Sequence, residues 1–421
     1  MLNNANKHSE HCHFIISIEV SMKENTLDNS QGALSGIRIL DFTRYQQGPF
    51  ATMLLAEMGA EVIKIEEPGG EPGRANGRDE HGFSAYFEGY NRSKKSITLN
   101  LRKKEAIEIV KRFIPSVDVV VENFRPGAME KWGLGYDDLK EIRDDIIVAS
   151  GSSWGRVGPW ANRPGYDHVG QALSGVMYEQ GDGPSGEPHA LIGGFSDQVG
   201  AILLALGVSS AIVARERQGV GQHVDVSLIA GMTAMQSMQF TRFLRTAFQS
   251  GFERRRAATY TNYECADGKH IAIAANTQRF WERMCIALNH PELQEDDRFS
   301  EPFGRAANKD ELVIILGNIF KERPMENWLD RLAEADVPHA PVLDYAGVVE
   351  HAQYWENGYF QEIEHAQLGT MQVPGPPIKM SVTPTKISGG GPELGMHTEE
   401  YLLEIGYSWE EITKLRDVGA L

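Results

Sequence analysis

Short apolar runs alternate with a helical pattern along the first part of the chain. Residues 37–42 and 61–65 have the composition of buried strands, and residues 50–58 between them have the periodicity of a helix that a glycine ends. A strand, a helix and a strand joined by short links form a βαβ unit, which implies a parallel sheet. Residues 117–122 and 146–150 are predicted to add two further strands to that sheet.

Residues 191–228 contain a paired-glycine turn, a long apolar helix that ends in Arg-Glu-Arg, and a strand that begins at position 223. Asp197 lies between the glycine turn and the first turn of this helix. A carboxylate at this position is typical of a helix N-cap, but it could also carry chemistry. The local pattern leaves both interpretations open.

The second half of the chain predicts a smaller unit. A Met-rich apolar helix covers residues 229–248, and two strand patterns flank an Ala-Asp-Gly turn, which is typical of a hairpin. The following segments are helical. We therefore predict an N-terminal extension (1–33), a large domain built from 34–225 and 340–421, and a linker helix with a small α+β domain (226–339).

The charge balance limits the classes of partner. The 421 residues include 41 Lys and Arg against 58 Asp and Glu, a net charge of −17. A chain this acidic is not expected to bind nucleic acid or an anionic membrane, although a small anionic ligand needs only local positive charge. Three scattered cysteines form no disulfide framework or zinc motif, and no apolar run approaches a membrane span. We predict a cytoplasmic protein without a metal site.

Residues 91–112 are the most basic window of the chain, with eight Lys or Arg against two acids. This composition is typical of a solvated strand edge and helix face. It also suits a phosphate site, because Lys and Arg bind phosphates and a helix start offers backbone N–H groups to an anion. The sequence leaves both interpretations open.

Asn123, Phe124 and Arg125 follow directly after a predicted strand. Ligands of open parallel sheets bind at the carboxyl ends of strands, so these side chains are candidates for a binding site. An aromatic ring beside a guanidinium suits a stacked base, but Phe124 could equally have a packing role. Lys131 follows on a short predicted helix.

Familiar nucleotide and hydrolase motifs do not account for this edge. Neither the GxGxxG dinucleotide fingerprint nor a GxxxxGK[ST] phosphate loop occurs at the expected places. Residues 151–155 match GxSxG, with Ser153 at the position of a hydrolase nucleophile. That motif requires a helix directly after the serine, and the Gly- and Pro-containing segment that follows argues against one.

Six segments in order resemble the class III CoA-transferases, the family of the formyl-CoA and carnitine CoA-transferases. The resemblance runs from about residue 34 to the C-terminus. Its carriers are LSGIRILDFTRYQQGPF, LLAEMGAEVIKIEEP, NRSKKSITLNL, VENFRPGAMEKWGLGYDDL, RPGYDHVGQALSG and GGFSDQVGAILLALGVSSAIVARERQGVGQHVDVSL.

The resemblance implies an α/β fold with a large Rossmann-like domain around a parallel sheet and a smaller α+β domain, in an interlocked homodimer. The implied reaction moves CoA from an acyl-CoA thioester to a carboxylic acid. Coenzyme A and acyl-CoA would be substrates, and no cofactor would be tightly bound. The donor and the acceptor stay open, with dicarboxylates, carnitine-like acids and aromatic acids all among the candidates.

Matched residue by residue, the resemblance implies that Asp197 is the nucleophile, which forms an aspartyl mixed anhydride and then an aspartyl-CoA thioester. We expect the adjacent helix N-terminus to keep its carboxylate ionised and to offer N–H groups to the developing oxyanion. The residues implied to contact CoA are Gln46, Gln47, Leu99, Asn100, Arg102, Asn123, Phe124, Arg125, Lys131, Tyr166 and Asp167.

Two departures from the family pattern are visible. Glu67 stands where some members have a basic CoA contact, and the tetraglycine loop of the formyl-CoA:oxalate branch is absent between Gln249 and Tyr263, so oxalate is not the expected acceptor. The related α-methylacyl-CoA racemases are an alternative. Their catalytic histidine falls at Tyr166, and His168 could replace it only in a different geometry. A non-catalytic CoA-binding protein is the alternative from a different functional class.

Overall fold

A six-stranded parallel sheet is the centre of the computed structural model, which describes residues 31–80, 82–181, 183–249 and 257–421. Most of the predicted N-terminal extension therefore lies outside the described residues. The strands are β1 (Arg38–Asp41), β2 (Glu61–Glu66), β3 (Lys95–Thr98), β4 (Val119–Glu122), β5 (Ile147–Ser152) and β6 (His223–Ser227). They run in the order β3-β2-β1-β4-β5-β6, which confirms the predicted α/β class with a Rossmann-like sheet.

The strand order reverses between β1 and β4. The chain moves outward from β1 to β3 on one side and from β4 to β6 on the other, with all neighbours parallel. The loops at the carboxyl ends of β1 and β4 therefore diverge and leave a crevice, which is where open α/β sheets bind ligands.

Helices cover both faces of the sheet. They are α1 (Gln47–Glu57), α2 (Ala85–Asn91), α3 (Lys104–Phe113), α4 (Ala128–Lys131), α5 (Tyr136–Ile142), α6 (Asp167–Leu173), α7 (Val176–Gln180) and α8 (Phe195–Gln218), with 3₁₀ turns at Pro72–Ala75 and Ile114–Ser116. Successive strand residues alternate between two cores, since Leu40 and Val120 pack with α3 whereas Ile39 and Val119 pack with α1 and α8. The strands are apolar at almost every position because both faces of the sheet are buried.

The helix α8 is the one described helix that is long and apolar enough, by length and composition, to cross a membrane. The expectation that no apolar run approaches a membrane span is therefore wrong for this segment. Ala201, Leu204, Val208 and Ile212 are buried against the sheet, which explains why a core helix has this composition.

The chain between β6 and residue 341 has a core of its own. After α9 (Leu228–Met235) and α10 (Ser237–Thr246) come β7 (Tyr260–Glu264), β8 (His270–Ala274), α11 (Gln278–Leu288), a 3₁₀ turn (Pro291–Gln294), α12 (Pro302–Ala307), α13 (Lys309–Phe320), α14 (Met325–Glu334) and β9 (His339–Pro341). β7, β8 and β9 form an antiparallel sheet, and the core packed on it runs from Ala258 to Val337. The hairpin prediction is confirmed.

One helix prediction is wrong in detail. Residues 229–248 were expected to form a single helix, but the chain breaks between α9 and α10 at Gln236. The Gln236 side chain donates hydrogen bonds to the carbonyls of Ser174 and Met232, each at 3.0 Å. A side chain tied to a distant carbonyl fixes the backbone away from helical geometry at this point.

The C-terminal part returns to the large sheet. It contains α15 (Tyr345–Glu350), α16 (Ala352–Glu356), the hairpin β10 (Phe360–His365) and β11 (Gly369–Pro374), α17 (Thr398–Glu404) and α18 (Trp409–Asp417). The backbone of β3 bonds to this segment, since Ser96 N donates to His397 Nδ1 and Thr98 N to Thr398 Oγ1. The return covers the free edge of β3. Because the C-terminal segment packs on the large sheet, we propose that residues 34–225 and 340–421 form the large domain and residues 226–339 the linker helix and the small domain.

Candidate functional site

A cavity of about 350 Å³ lies at the carboxyl edge of the sheet, where the strand order reverses. We call it the sheet-edge cavity. The loops after β1, β4 and β5 form its walls. Its lining residues are Arg44, Tyr45, Gln46, Gln47, Asn123, Phe124, Arg125, Pro126, Gly151, Ser152, Ser153, Trp154, Ala161, Arg163, Pro164, Gly165 and Tyr166. The structure therefore brings together six of the predicted CoA contacts. They are Gln46 and Gln47 after β1, Asn123, Phe124 and Arg125 after β4, and Tyr166 after β5.

Asn123 joins the loop after β1 to the loop after β4. Its Oδ1 accepts a hydrogen bond from the backbone N of Arg44 at 2.8 Å, and its Nδ2 donates to the Arg44 carbonyl at 2.9 Å. Both ends of the carboxamide are occupied, so Asn123 positions the wall of the cavity.

Arg44 and Glu67 form a contact that sequence reasoning missed. An Arg44 guanidinium nitrogen pairs with Glu67 Oε1 at 2.7 Å, and the guanidinium carbon lies 5.0 Å from the centre of the Phe124 ring. This distance is within the cation–π range. Trp132 meets Phe124 edge-on, with the ring centroids 5.4 Å apart. Phe124 therefore packs and also lines the cavity, and Glu67 holds a cation over it.

Two cations of the basic window 91–112 are buried in ion pairs. Lys94 Nζ lies 3.0 Å from Asp41 Oδ2, and Arg92 Nε lies 2.6 Å from Glu57 Oε1. Burial lowers the pKa of Lys94 to about 8, although the Asp41 carboxylate acts in the opposite direction. For these two residues both sequence interpretations are wrong, since they are neither solvated nor open to a phosphate.

Five of the predicted CoA contacts do not line the sheet-edge cavity, namely Leu99, Asn100, Arg102, Lys131 and Asp167. Leu99 is fully buried in the core, and Asn100 Nδ2 donates to the Gly419 carbonyl at 3.0 Å. Arg102 and Lys131 have exposed side chains. Contact between these residues and CoA stays a prediction.

Gln46 precedes α1, Gln47 is its first residue, and both lie close to the first part of α8. Gln46 Nε2 donates to the Gly194 carbonyl at 3.2 Å. Gln47 Nε2 is buried without a hydrogen-bond partner. A Cβ on Gly151 or on Gly200 would lie 2.7 Å from the Gln47 carboxamide, so both glycines leave room for this group. An unpaired buried donor needs an explanation, and a site for a polar ligand supplies one.

We expect Gln47→Met to raise the free energy of unfolding by about 1 kcal/mol, because methionine has a similar shape and removes an unpaired buried donor. Gln46→Met is the matched control. It should lower the free energy of unfolding by a similar amount, because it leaves the Gly194 carbonyl unpaired. Urea unfolding measures both variants, and shifts of the same sign would contradict the assignment.

Asp167, and not Asp197, accepts the N-terminal hydrogen bonds of α8. Its Oδ1 accepts from Ser196 N and Ser196 Oγ, each at 2.7 Å, and from Asp197 N at 3.3 Å. Its Oδ2 accepts from Gly194 N at 2.9 Å and Gln171 Nε2 at 2.8 Å. Burial acts to raise the pKa of Asp167, but these hydrogen bonds outweigh it and lower the pKa below its usual value.

Asp197 lies on the first turn of α8 without a side-chain capping bond. Burial, and then the charge of Asp167, raise the pKa of Asp197 to about 7. The expectation that the helix end keeps this carboxylate ionised is therefore wrong. The N–H groups that would stabilise it are engaged by Asp167, which adds a like charge beside it. Asp197 is a basic carboxylate near neutral pH and not a helix cap.

Burial and the charge of the nearby Asp197 raise the pKa of the Tyr86 and Tyr90 hydroxyls on α2, and neither tyrosine was found from the sequence. The Tyr45 ring meets the exposed Tyr166 edge-on at 5.4 Å. Burial, followed by the Asp197 charge, raises the pKa of the Tyr86 hydroxyl. A hydroxyl with a raised pKa is a hydrogen-bond donor at neutral pH and not a base. His168, considered for a racemase, has an exposed side chain on α6.

Ser153 lies in the wall of the cavity, but the fold does not build a hydrolase elbow around it. The strand β5 ends at Ser152, and the next helix is α6, which begins at Asp167. The GxSxG geometry requires a helix directly after the serine, so the motif match carries no nucleophile here. Within the described ranges there is no group of three or more His, Cys, Asp or Glu side chains that could hold a metal ion.

The sequence and the fold are similar to those of known proteins. Residues 34–398 match the family model described as CoA-transferase family III. The chain is 34% identical to a succinyl-CoA:glutarate CoA-transferase of Mus musculus, over 93% of this chain and 91% of that protein. It is 34% identical to an acetyl-CoA:oxalate CoA-transferase of Acetobacter aceti, over 86% and 92%. A solved CAIB/BAIF family protein from Brucella suis has a TM-score of 0.79 at 30% identity, over 89% and 100%.

Proposed function

The chain belongs to CoA-transferase family III, and from this premise we propose that it moves coenzyme A from an acyl-CoA thioester to a carboxylic acid, with Asp197 as the nucleophile. The observation that carries the proposal is an aspartate with a pKa of about 7 on the first turn of α8, three residues after the Gly194 carbonyl that Gln46 of the sheet-edge cavity contacts. A raised pKa makes a carboxylate a better nucleophile, while leaving about half of it ionised at neutral pH.

The first half of the reaction transfers CoA to the enzyme. An Asp197 oxygen attacks the thioester carbonyl carbon, the C–S bond breaks, and the products are an aspartyl mixed anhydride and CoA thiolate. The thiolate then attacks the Asp197 carbonyl carbon. This step releases the first acid as its carboxylate and leaves an aspartyl-CoA thioester.

The second half repeats these steps in reverse with the new acid. Its carboxylate attacks the aspartyl thioester and expels CoA thiolate, which then attacks the acyl carbon of the new anhydride. The products are the new acyl-CoA and the free Asp197 carboxylate, and no net proton is consumed. Holding the thiolate beside each anhydride replaces a bimolecular encounter, which contributes up to roughly 7–11 kcal/mol in favourable cases.

In this proposal CoA lies in the sheet-edge cavity. The ring of Phe124 and the guanidinium of Arg44 suit its base, and the exposed Arg125 suits a phosphate. The buried Gln47 amide and the Tyr86 hydroxyl, whose pKa is raised, are donors near the reacting acyl group.

The α10 side chains Met238 and Leu244 are exposed and apolar, which supports the expected homodimer. The molecular mass in solution would show whether the protein is a dimer.

Trapping tests the nucleophile. The enzyme incubated with an acyl-CoA and then with hydroxylamine should carry a hydroxamate on Asp197, because both acyl intermediates react with this amine. Peptide mass spectrometry reads the modification, and Asp197→Asn is the control. Unmodified Asp197 under demonstrated CoA transfer would contradict the mechanism.

A second incubation, with a chiral 2-methylacyl-CoA in deuterated water, should show no exchange of the α-proton. This result would separate CoA transfer from racemase activity.

A further inference from the structure

A second cavity, of about 380 Å³, lies between α1, α2 and the segment 374–377. We call it the aromatic cavity; Phe50, Met53, Tyr86, Tyr90, Gln198 and Pro377 are among its lining residues. Small-molecule pockets in proteins have volumes of roughly 300–1,000 Å³, so this one is large enough for a small organic acid.

Each cavity reaches the start of α8 through one of its lining residues. Gln46 lines the sheet-edge cavity and donates to the carbonyl of Gly194, which directly precedes α8. Gln47 lines the sheet-edge cavity, and Phe50 lines the aromatic cavity from the following turn of the same helix α1. On α8, Gln198 directly follows Asp197, lines the aromatic cavity, and donates to the Tyr90 hydroxyl at 3.5 Å. A thioester carbonyl at Asp197 would therefore have CoA on one side and the aromatic cavity on the other.

The rings of the aromatic cavity are arranged edge to face. The Phe50 and Tyr90 centroids are 5.8 Å apart at 67°, and those of Tyr86 and Tyr90 are 5.0 Å apart at 87°. Such edges and faces pack well against another ring. The polar groups, namely the two hydroxyls and the Gln198 amide, lie at the end near Asp197.

The aromatic cavity offers no free positive charge among its described lining residues. Arg92 is the cation in its wall, and its Nε is paired with Glu57 Oε1 at 2.6 Å, with both side chains buried. The second carboxylate of a dicarboxylate would lose water there without gaining a counter-ion, which is costly. A monocarboxylate leaves only apolar atoms in this space.

From these contacts we infer that the aromatic cavity binds the acyl group, and that the acid transferred is a monocarboxylic acid with an aromatic or similarly broad apolar body. This inference rests on the proposed CoA transfer and adds the substrate class. The inferred acid therefore differs from the dicarboxylates in the names of two relatives, a succinyl-CoA:glutarate and an acetyl-CoA:oxalate CoA-transferase.

Gly89 allows a direct test, because it lies on α2 in the wall of this cavity and a Cβ added there meets no atom within 4 Å. Gly89→Phe adds a ring in the cavity wall from a position where the Cβ itself has room, and it replaces a poor helix former, so we expect the fold to be retained. Gly89→Ala is the matched control, since its methyl group occupies little of the space.

Isotope exchange between an acyl-CoA and its own deuterated acid measures each acid separately, with phenylacetate, succinate and acetate as the probes. For the wild-type protein we expect kcat/KM for phenylacetyl exchange to exceed that for succinyl exchange by roughly 100-fold. In Gly89→Phe the ratio of phenylacetyl to acetyl exchange should fall by roughly 100-fold, and in Gly89→Ala by less than about tenfold.

Two results would overturn the inference while leaving CoA transfer intact. One is succinyl exchange faster than phenylacetyl exchange in the wild-type protein. The other is a ratio of phenylacetyl to acetyl exchange that Gly89→Phe leaves unchanged. Absence of exchange with all three acids, in protein of wild-type thermal stability, would contradict the proposed function itself and this inference with it.

Discussion

Asp197→Asn should abolish CoA transfer and at the same time make the protein more stable above pH 7. The amide has nearly the same shape as the carboxyl group but cannot attack a thioester, so kcat should fall by roughly 10⁴-fold or more. The gain in stability follows from the raised pKa of Asp197, which shows that the folded protein disfavours a negative charge at this position.

The pH dependence of this gain has a definite sign. The pKa of Asp197 rises from 3.8 in the unfolded chain to about 7 in the fold. Between these values the folded protein binds one proton more than the unfolded chain, so wild-type stability falls as the pH rises. The change in the pKa of Asp197 from 3.8 to about 7 corresponds to roughly 4 kcal/mol, which is an upper bound for the gain in unfolding free energy of the variant above pH 7. Near pH 4 the advantage should vanish.

Urea unfolding at pH 5 and pH 8 measures this difference, together with CoA transfer at pH 8. The exposed Asp330 on α14 gives a matched control, because Asp330→Asn makes the same chemical change far from the site. The control should alter neither stability nor transfer appreciably. A stability difference for Asp197→Asn that is equal at both pH values, or transfer close to the wild-type rate, would contradict the account of Asp197.

The parts of the fold that sequence predicted are those that depend on local pattern. The alternation of apolar strands with a helix gave the parallel sheet, and the position of Asn123 and Phe124 after a strand placed them at the carboxyl edge. The backbone needs only its own period and turns for such elements, so the signal lies within a few residues. The same holds for the hairpin of β7 and β8.

The electrostatics of the site depend on partners that are distant in the sequence. The basic composition around Lys94 is typical of surface cations, but Lys94 is buried in an ion pair with Asp41, which lies 53 positions earlier in the sequence. The N–H groups before Asp197 appeared to be available, but Asp167, 30 positions earlier, accepts them. Composition in a window cannot show such pairs, because the sheet order decides which loops meet. The Gln236 break between α9 and α10 has the same origin, with Ser174 as the distant partner.

The roles of two glycines and two tyrosines near the site could not be predicted from the sequence pattern. Gly89 and Gly200 lie inside helices, where glycine is unfavourable, and each leaves space beside a cavity or a carboxamide. Tyr86 and Tyr90 lie on α2, a short helix that was not predicted from the sequence, and their hydroxyls lie near Asp197. A glycine within a helical pattern was the available signal, and it indicates a close approach or an open space.

Asp167→Asn should shift the pH dependence of CoA transfer to lower pH and destabilise the fold. In the wild-type protein kcat/KM should rise with pH and level off above about 7, because the free enzyme attacks through ionised Asp197. Removing the Asp167 charge lowers the pKa of Asp197, so the rise should occur at lower pH. The pKa should stay above its usual value, since burial is the larger cause of the shift.

The loss of stability has a separate origin. An asparagine would present an NH₂ group to at least one of the donors Gly194 N, Gln171 Nε2 and Ser196 N that now meet a carboxylate. Losing charge-assisted hydrogen bonds and leaving a donor unpaired should cost roughly 2–4 kcal/mol. Gln171→Leu is the control that removes one contact to Asp167 without removing its charge. It should lower stability and leave the pH of the rise in place.

These two variants decide what Asp167 does for the reaction. If Asp167 only held the start of α8 in place, both variants would weaken the protein and neither would move the pH profile. A shift that is confined to Asp167→Asn would mean that Asp167 takes up the N–H groups of the helix and adds a negative charge beside Asp197. Asp197 then remains basic enough to attack a thioester, at the expense of the stability that an unperturbed aspartate would give.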